Sequence, residues 1–585
     1  MRHWPLALLS FLALTPRPTL TTGELRLTLR DSLTGYGLAG VIRARGADDT
    51  ARTMSIRSGE QLELSFPPGS QRLSATSPGY APIETQFEVM PELPVPITIW
   101  LDPKNPPEAL RPEARAAIAA TGYATLHGYV ASENTGDPLE QVQLTVKGTS
   151  AFTDHRGYFL LRIPVSSPQA DSLPESADLQ VERPGYLTLV LKDTLLPEGD
   201  THFILELRAG TGREERDNSH KLAMAPEVLR ESQLPPEQTG LSSAPPVWKP
   251  SAIHTDSSLA QVIAPPDSIR VGTSCSCTNC SGVSVMSLET YVRRGLKDEW
   301  IASWTAHSLR AGAIAYRSYG SYHVYHPLRA NYDICNTACC QVNNPGTNGR
   351  TDSAVSYTTG ILLQRIGEVF RAEYSAENNN FGCGGPGCSN ASCLCGDGNA
   401  GSPGASWPCV TESFDAGHAC SGHGRGMCQW GTQRSALQGQ LWNWIENHYY
   451  NDNGNPGGLR SAFVTSPLDI ADAFPDPPVV SAGDTFVANY STVNYAELPH
   501  NQVLLGATLY SANTGYISDP ANDAEVVLNP GSNDVARWFT VPDSTPPGGY
   551  DLLVALWIDV DEDFAITGAD LPLVSYTFPG AVTVQ

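Results

Sequence analysis

Apolar and polar side chains alternate from residue 24 to 102 in short runs. They are Leu25–Asp31 (LRLTLRD), Gln61–Phe66 (QLELSF), Arg72–Ser77 (RLSATS) and Pro96–Leu101 (PITIWL), each bounded by Gly, Pro, Asp or Ser. A period of two puts one set of side chains on a single face, which predicts the strands of a small β-sandwich. Residues 123–208 repeat the plan with TLHGYV, VQLTVKG, GYFLLRI and HFILELR. Both blocks carry a Pro-Gly-Tyr turn, in Ser77–Pro82 and in Arg183–Thr188, and both end in an apolar strand, which reads as an internal duplication. Alternation returns over 467–585 in TFVANYSTVNY, QVLLGATLYS, RWFTVP and YDLLVALWIDV, predicting a C-terminal Ig-like sandwich. The middle of the chain changes rhythm. After Ser303, Ala306, Leu309, Ala313, Tyr316 and Gly320 recur at helical spacing, predicting a buried helix with Ser303 or Thr305 as N-cap and with Glu299 on its entry. Gln429 begins a second expected helix, with Leu437, Leu441, Trp444 and Ile445 on one face.

The fold class that follows is multidomain, with mostly β flanking sandwiches around a central α+β domain. The expected boundaries are a signal peptide at 1–22, sandwiches at 23–103 and 123–208, linkers at 104–122 and 209–266, a central domain at 267–466 and the C-terminal sandwich at 467–585. The second linker is read from its Pro, Ser and Glu content and its lack of apolar periodicity.

Composition narrows the function. The formal net charge of -24 supplies no basic surface for phosphates, so nucleic acid is excluded as a partner. It also argues against retention on anionic wall polymers or lipid headgroups. Met1-Arg2-His3 followed by the apolar run Trp4–Leu14 fits a secretory signal, the alternative being the irregular start of the first β-domain. No later run reaches transmembrane length, so no transmembrane segment is expected. All 13 cysteines lie between Cys275 and Cys428, which in an exported chain points to disulfides, and an odd number leaves at least one outside intramolecular pairing.

Four blocks of the central region can carry chemistry. The first runs from Val285 to His323, with Leu288-Glu289-x-Tyr291, Glu299, Ser303-Trp304 and Leu309 to Tyr319. The second is Tyr332–Asn343 (YDICNTACCQVN), the third Thr351–Asn380 (TDSAVSYTTG, then EYSAENNN), and the fourth Gly422–Tyr450 (GHGRGMCQWG and the expected helix). In this order they resemble the stage II sporulation protein D family of peptidoglycan lytic transglycosylases, whose relatives include amidase enhancers of the LytB type. The resemblance covers about 200 residues. Residues 123–208, through Thr153-Asp154-x-x-Gly157-Tyr158-Phe159, and more distantly 23–103, resemble the carboxypeptidase regulatory-like domain.

The resemblance implies secretion to the periplasm or cell surface, peptidoglycan glycan strands as substrate and a partner cell-wall amidase acting first. It puts the catalytic acid/base on Glu299, with no cofactor required. Trp300, Arg317, Tyr374, Glu377, Asn378, His423 and Gln429 become candidate substrate-binding residues. Several have other roles open to them: Trp300, with Trp304, desolvating Glu299, Arg317 anchoring its helix to an acidic neighbour, Glu377 and Asn378 capping a turn, His423 bonded to loop backbone. Two departures stand out. The family's Met-Pro after the glutamate is Trp300-Ile301 here, and its Gln is Gly312. Some members bind zinc near the second block. Cys335, Cys339 and Cys340, with His323 or His326, would suit a structural zinc, but disulfides are the favoured reading. Asp559, Asp561, Asp563 and Asp570 follow a calcium-loop register, but Phe564 stands where that loop needs Gly, so an acidic turn is expected rather than calcium. A non-catalytic amidase enhancer or surface-binding protein is the competing functional reading.

Overall fold

The computed structural model describes residues 23–45, 51–89, 95–166, 174–217, 262–365, 367–377, 426–451 and 462–585. The expected signal peptide lies outside them. The chain is mostly β, in several sheets.

The first sandwich pairs Gly23–Asp31 in parallel with Val95–Leu101 and faces a second sheet of Gly40–Arg45, Ala51–Ile56, Gly69–Thr76 and Ile83–Val89. Residues 123–207 reproduce this plan. Tyr123–Ser132 pairs in parallel with Gly199–Leu207, and Leu25↔Val95 is matched by Ala124↔Gly199. The Pro-Gly-Tyr turns are also equivalent. Tyr80 bridges to Pro103 and Tyr186 to Ala209, with Gly79 and Gly185 both at φ 87°.

The two sandwiches are not separate beads. The hairpin Ser268–Ser276 and Asn279–Ser287 belongs to the central region, yet Val283–Val285 pairs in parallel with Ile97–Ile99, so one six-stranded sheet crosses the expected boundary. A single buried apolar cluster runs from the first sandwich through the central helices into the C-terminal sandwich, whereas the second sandwich keeps its own core. The second sandwich still reaches the centre, because Thr347–Asn348 pairs with Thr201–His202 at the edge of its sheet.

Both expected linkers contain structure. Residues 104–122 hold α1 (Pro112–Ile118), with Pro at its first position. Arg115 of α1 bonds Asp200 at 2.7 Å and Asp352 at 2.8 Å, so this segment is a strut between the second sandwich and the centre. Arg213–Asp217 forms an edge strand parallel to Thr188–Leu195, extending that sandwich past residue 208. Its sequence, REERD, has no apolar face, and a charged edge strand is invisible to hydrophobic periodicity. The rest of that linker up to residue 261 lies outside the described residues.

The central helices are α2 (Leu288–Glu299), α3 (Ala306–Tyr325), α4 (Gly349–Tyr357), α5 (Gln429–Leu437) and α6 (Trp442–Tyr450). Thr305 caps α3 as expected, accepting the Ser308 amide. Glu299, expected at the entry to α3, is instead the last residue of α2. The helix expected from Gln429 breaks in two because Gly439 adopts a left-handed φ of 89° after α5. Trp442 and Ile445 are buried, while Leu437 and Trp444 are exposed, so the expected apolar face is only partly the packed one.

The C-terminal sandwich stacks a three-stranded sheet on a larger one. It docks on the centre through its acidic turn. Arg310 pairs with Glu562 and lies 3.6 Å over the Tyr357 ring, and Tyr357 donates to the Asp559 carbonyl. The Asp559 carboxylate accepts the Asp563 and Phe564 amides at 3.2 and 2.9 Å.

The N-terminus of α2 is the meeting point of the first sandwich, the centre and the C-terminal sandwich. Ser287 caps the helix, and Asp102, just after Val95–Leu101, accepts the hydroxyls of Ser287 at 2.6 Å and Thr290 at 2.7 Å. Glu497, from the C-terminal sandwich, accepts the Glu289 amide at 3.3 Å and shares a hydrogen bond with Asp102. Trp100, Asp102, Glu289, Tyr495 and Glu497 line a cavity of about 340 Å³ here. Burial, then Asp102, raise the Glu497 carboxyl well above its ordinary 4.5, while donors from Glu497, Ser287, Ser32 and Thr290 outweigh burial and lower Asp102 below its ordinary 3.8. A raised folded value means the folded chain holds the Glu497 proton more tightly than the unfolded chain. Its contribution is fully present below about 4.5 and drains away as pH rises through the folded value. The Asp102 contribution runs the other way, present above 3.8 and lost in acid. Glu497→Gln keeps a donor toward Asp102 and cannot ionise. We therefore expect its Tm to match wild type near pH 4 and to exceed it by roughly 2 °C or more at pH 8. Thermal melts across that range check this, and an equal deficit at every pH would contradict it.

Candidate active site

The α2–α3 pair is built around one buried ion pair. Arg317 Nε and Nη2 donate to the two Glu289 oxygens at 2.9 and 2.8 Å, and its remaining donors reach the carbonyls of Val355 and Ile361. Arg317 is therefore the helix anchor and not a substrate ligand. Arg317→Ala would leave Glu289 buried without its counter-charge, at about 3–5 kcal/mol. The expected result in urea unfolding is a large loss of stability.

Ten positions past Glu289, Glu299 closes α2 with only 2% of its surface exposed. Its Oε1 accepts the Val342 amide at 2.7 Å. Gln429, the first residue of α5, donates Nε2 to the Glu299 main-chain oxygen at 2.6 Å and lies 3.5 Å from Oε2. The Tyr374 hydroxyl lies beside the same carboxyl and favours its charged form. Burial is the largest influence and raises the Glu299 carboxyl well above its ordinary 4.5. The Asp298 charge adds to the rise, and the Val342, Gln429 and Tyr374 donors oppose it. Asp298 is held apart by Lys297 at 2.6 Å and the Asn344 amide at 2.8 Å.

A second layer of hydrogen bonds orients the first. The Tyr291 hydroxyl donates to Gln341 Oε1 at 2.5 Å, and Gln341 Nε2 donates to the Tyr374 hydroxyl at 2.9 Å. With its lone pair taken by Gln341, the Tyr374 hydroxyl has its own proton to direct at Glu299. Gln341 and Val342 were missed from the sequence, although both follow the cysteine pair of the second block directly.

Of the other sequence candidates, Tyr374 and Gln429 meet at Glu299. Trp300 is fully buried, its ring 4.8 Å from that of Tyr374 and its Nε1 donating to Thr432 at 3.3 Å, so it forms the wall that desolvates the carboxyl and is not displayed to a substrate. Glu377 is buried in an ion pair with Arg434 and is not a displayed sugar ligand. Asn378 and His423 lie outside the described residues. Cys335 is bonded to Cys340 and Cys339 to Cys277, with Cys275 bonded to Cys280, so these thiols are committed to disulfides and not to zinc. His323, one of the expected fourth ligands, is pushed down to about 3 by burial and turns Nδ1 toward the His326 carbonyl at 3.2 Å. His326 stacks on Tyr322 at 4.3 Å.

The site is thus a single buried carboxyl at a helix end, ringed by uncharged donors in a chain with extracytoplasmic-type disulfides. Residues 277–364, which contain Glu299 and the second block, match the profile of the family described as "Stage II sporulation protein", a family linked to cell-wall and sporulation function. No curated protein matches the chain. Among solved structures, the Bacillus anthracis TIE protein is similar at 12% identity over 32% of this chain and 34% of its own, with a TM-score of 0.13. The C-terminal domain of wzt is similar at 12% identity over 21% of this chain and 75% of its own, TM-score 0.16. The Bacillus subtilis sporulation control protein Spo0M is similar at 15% identity over 20% of this chain and 50% of its own, TM-score 0.14. The chain thus spans about a third of the length of the first of these, and scores at this level support no functional inference. Among the described residues no helix is long and apolar enough to cross a membrane.

The two departures from the family pattern touch each other. A Cβ on Gly312 would lie 2.5 Å from the Trp300 ring, so the large side chain after Glu299 requires the small one on α3. Gly312→Gln alone is expected to cost at least about 1–3 kcal/mol by overpacking. Adding Trp300→Met should recover most of it, as urea unfolding of the single and double variants will show.

Proposed function

We propose that this chain is an exported peptidoglycan lytic transglycosylase that cleaves the bond between N-acetylmuramic acid and N-acetylglucosamine, with Glu299 as its single acid/base. The observation that carries the reading is the Glu299 carboxyl itself: buried, raised in proton affinity by that burial, and faced by uncharged donors. An acid that must protonate a glycosidic oxygen near neutral pH needs its proton retained there, and burial supplies this. Glycosidases that use water need two carboxyl groups flanking the bond. Asp298 is bound to Lys297 and the Asn344 amide and is not free for the second role. One carboxyl suffices if the substrate provides its own nucleophile. Glu299 gives its proton to the leaving oxygen as the bond to C1 breaks. It then takes the proton of the muramic acid C6 hydroxyl as that oxygen closes on C1, leaving a 1,6-anhydro end. The donors from Val342, Gln429 and Tyr374 stabilise the carboxylate between the two steps. The shell around Glu299 must open to admit the glycan.

The three disulfides among the described residues and the family match support an extracytoplasmic, cell-wall setting. A wall amidase acting first would supply stripped glycan strands. The test is mass spectrometry of products from amidase-stripped peptidoglycan. Anhydro-muramyl products should form with wild type, fall at least about 1,000-fold with Glu299→Gln, and decline as alkali deprotonates the acid. Absence of product from wild type would sink the enzyme reading and leave that of an amidase enhancer.

A further inference from the structure

We infer that the disulfide-tied segment Cys335–Asn343 is the positioning device of the Glu299 site, with Gln341 as its positioning residue, so that turnover requires the Cys335–Cys340 and Cys277–Cys339 bonds. The inference rests on the Glu299 reading above and adds to it a dependence on oxidation.

Residues 336–343 contain no helix or strand. Their backbone closes a small loop, Cys340 donating to the Thr337 carbonyl at 2.9 Å and Asn343 to that of Asn336 at 3.4 Å, but no helix or sheet ladder holds the Val342 amide at 2.7 Å from Glu299 Oε1. Cross-links and side chains do so instead. Cys340 is tied back to Cys335, which lies on a short strand beside Ser268–Ser276, and Cys339 is tied to Cys277 in the hairpin turn. Thr337 donates to the Cys277 carbonyl at 3.1 Å. Past the cross-links, three consecutive buried residues grip α2 and α3. Gln341 bonds Tyr291, Tyr374 and the Tyr316 carbonyl, the Val342 carbonyl accepts the Tyr316 hydroxyl at 3.0 Å, and Asn343 donates to the Tyr291 carbonyl at 2.8 Å. The segment therefore delivers one donor to Glu299 directly and aims a second through Tyr374.

The direction of that relay is set by Gln341. As an amide it accepts at one end and donates at the other, which orders Tyr291, Gln341 and Tyr374 into a one-way chain of donors that ends beside Glu299. Among the described residues, the titratable and charged groups that act on the carboxyl are Asp298 and Tyr291 on α2 and Tyr374, with Lys297 offsetting Asp298 and Tyr316 of α3 behind the two tyrosines. The segment itself contributes only uncharged donors, so loosening it removes stabilisation of the carboxylate without adding charge. Freeing an irregular loop from its cross-links restores the conformational freedom that they removed. A carboxyl that loses its donors holds its proton more tightly, and a displaced one protonates its substrate less well.

The test compares wild type, wild type treated with dithiothreitol, Cys335→Ser/Cys340→Ser and Gln341→Met. Dithiothreitol converts each disulfide to two thiols and is itself oxidised to its cyclic disulfide, so reoxidation should reverse the effect. Initial rates of anhydro-muramyl product are followed against pH, with circular dichroism reporting the folded fraction. Reduction and the double serine variant should lower the rate roughly 10–100-fold while the chain stays folded. Gln341→Met should lower it similarly and move the alkaline limb of the profile to higher pH, a shift that loss of folded protein does not produce. An active wild type whose rate and profile are unchanged by all three overturns the inference. If reduction unfolds the chain, Gln341→Met decides it. If wild type forms no product, the transglycosylase reading has failed, and the Glu299 carboxyl is titrated by infrared difference against Glu299→Gln. A titration identical in wild type and Gln341→Met overturns the positioning role, and a higher one in the variant supports it.

Discussion

The Arg317–Glu289 pair is the constraint from which the site's geometry follows. Two charges taken out of water cost several kcal/mol each unless every donor and acceptor is met. Arg317 meets both Glu289 oxygens and the Val355 and Ile361 carbonyls, while the Gly360 amide also reaches Glu289 at 2.9 Å. Few arrangements of α2, α3 and the turn after α4 satisfy all of these at once. Fixing α2 at Glu289 fixes its far end about 15 Å along the axis, at the usual 1.5 Å per residue, and that end is Glu299.

The helices approach closely enough for this because small and large residues alternate across their contact. Gly295 faces the Tyr316 ring, Gly320 faces Tyr291, and Gly312 faces Trp300. Glycine inside a helix costs about 1 kcal/mol against alanine. Here the loss is offset by the aromatic side chains that occupy the space, two of which, Tyr291 and Tyr316, also carry the hydroxyls that grip Gln341, Val342 and Asn343. Packing and polar order are thus supplied by the same rings.

Much of this was legible in the sequence, and the parts that were not share a cause. About half of the strands of both N-terminal sandwiches, the helix from Ala306 and its Thr305 cap follow from period and capping residues, which are local signals; strands such as Gly40–Arg45 and Ser176–Glu182 do not stand out this way. Glu299 stood out through a motif, and so did Tyr374 and Gln429. What these residues do depended on partners far along the chain. Arg317 reads as a ligand or, more readily, as an anchor, but its partner Glu289 is known only once the helices are seen side by side; Trp300 reads as a residue that desolvates Glu299, but its place against Tyr374 is not visible in the sequence. Gln341 carried no signal of its own, because an amide between two tyrosines matters only once the chain has folded. The sheet shared across the first expected boundary stayed hidden for a related reason. Alternation announces a strand but not its neighbour, so nothing in Val283–Val285 reveals that it pairs with Ile97–Ile99.

That shared pairing has a consequence for how the molecule can be taken apart. A tethered spacer can be shortened, replaced or removed without harm to what it carries. A strand neighbour cannot. Excising the first sandwich would strip Asn279–Ser287 of hydrogen-bonding partners along one side and bare an unprotected edge, the usual template for aggregation. It would also remove Asp102 from the start of the helix that ends in Glu299. The central unit is therefore a poor candidate for expression on its own. Any recombination of this architecture, natural or engineered, must carry the first sandwich with the site it supports, as one heritable block.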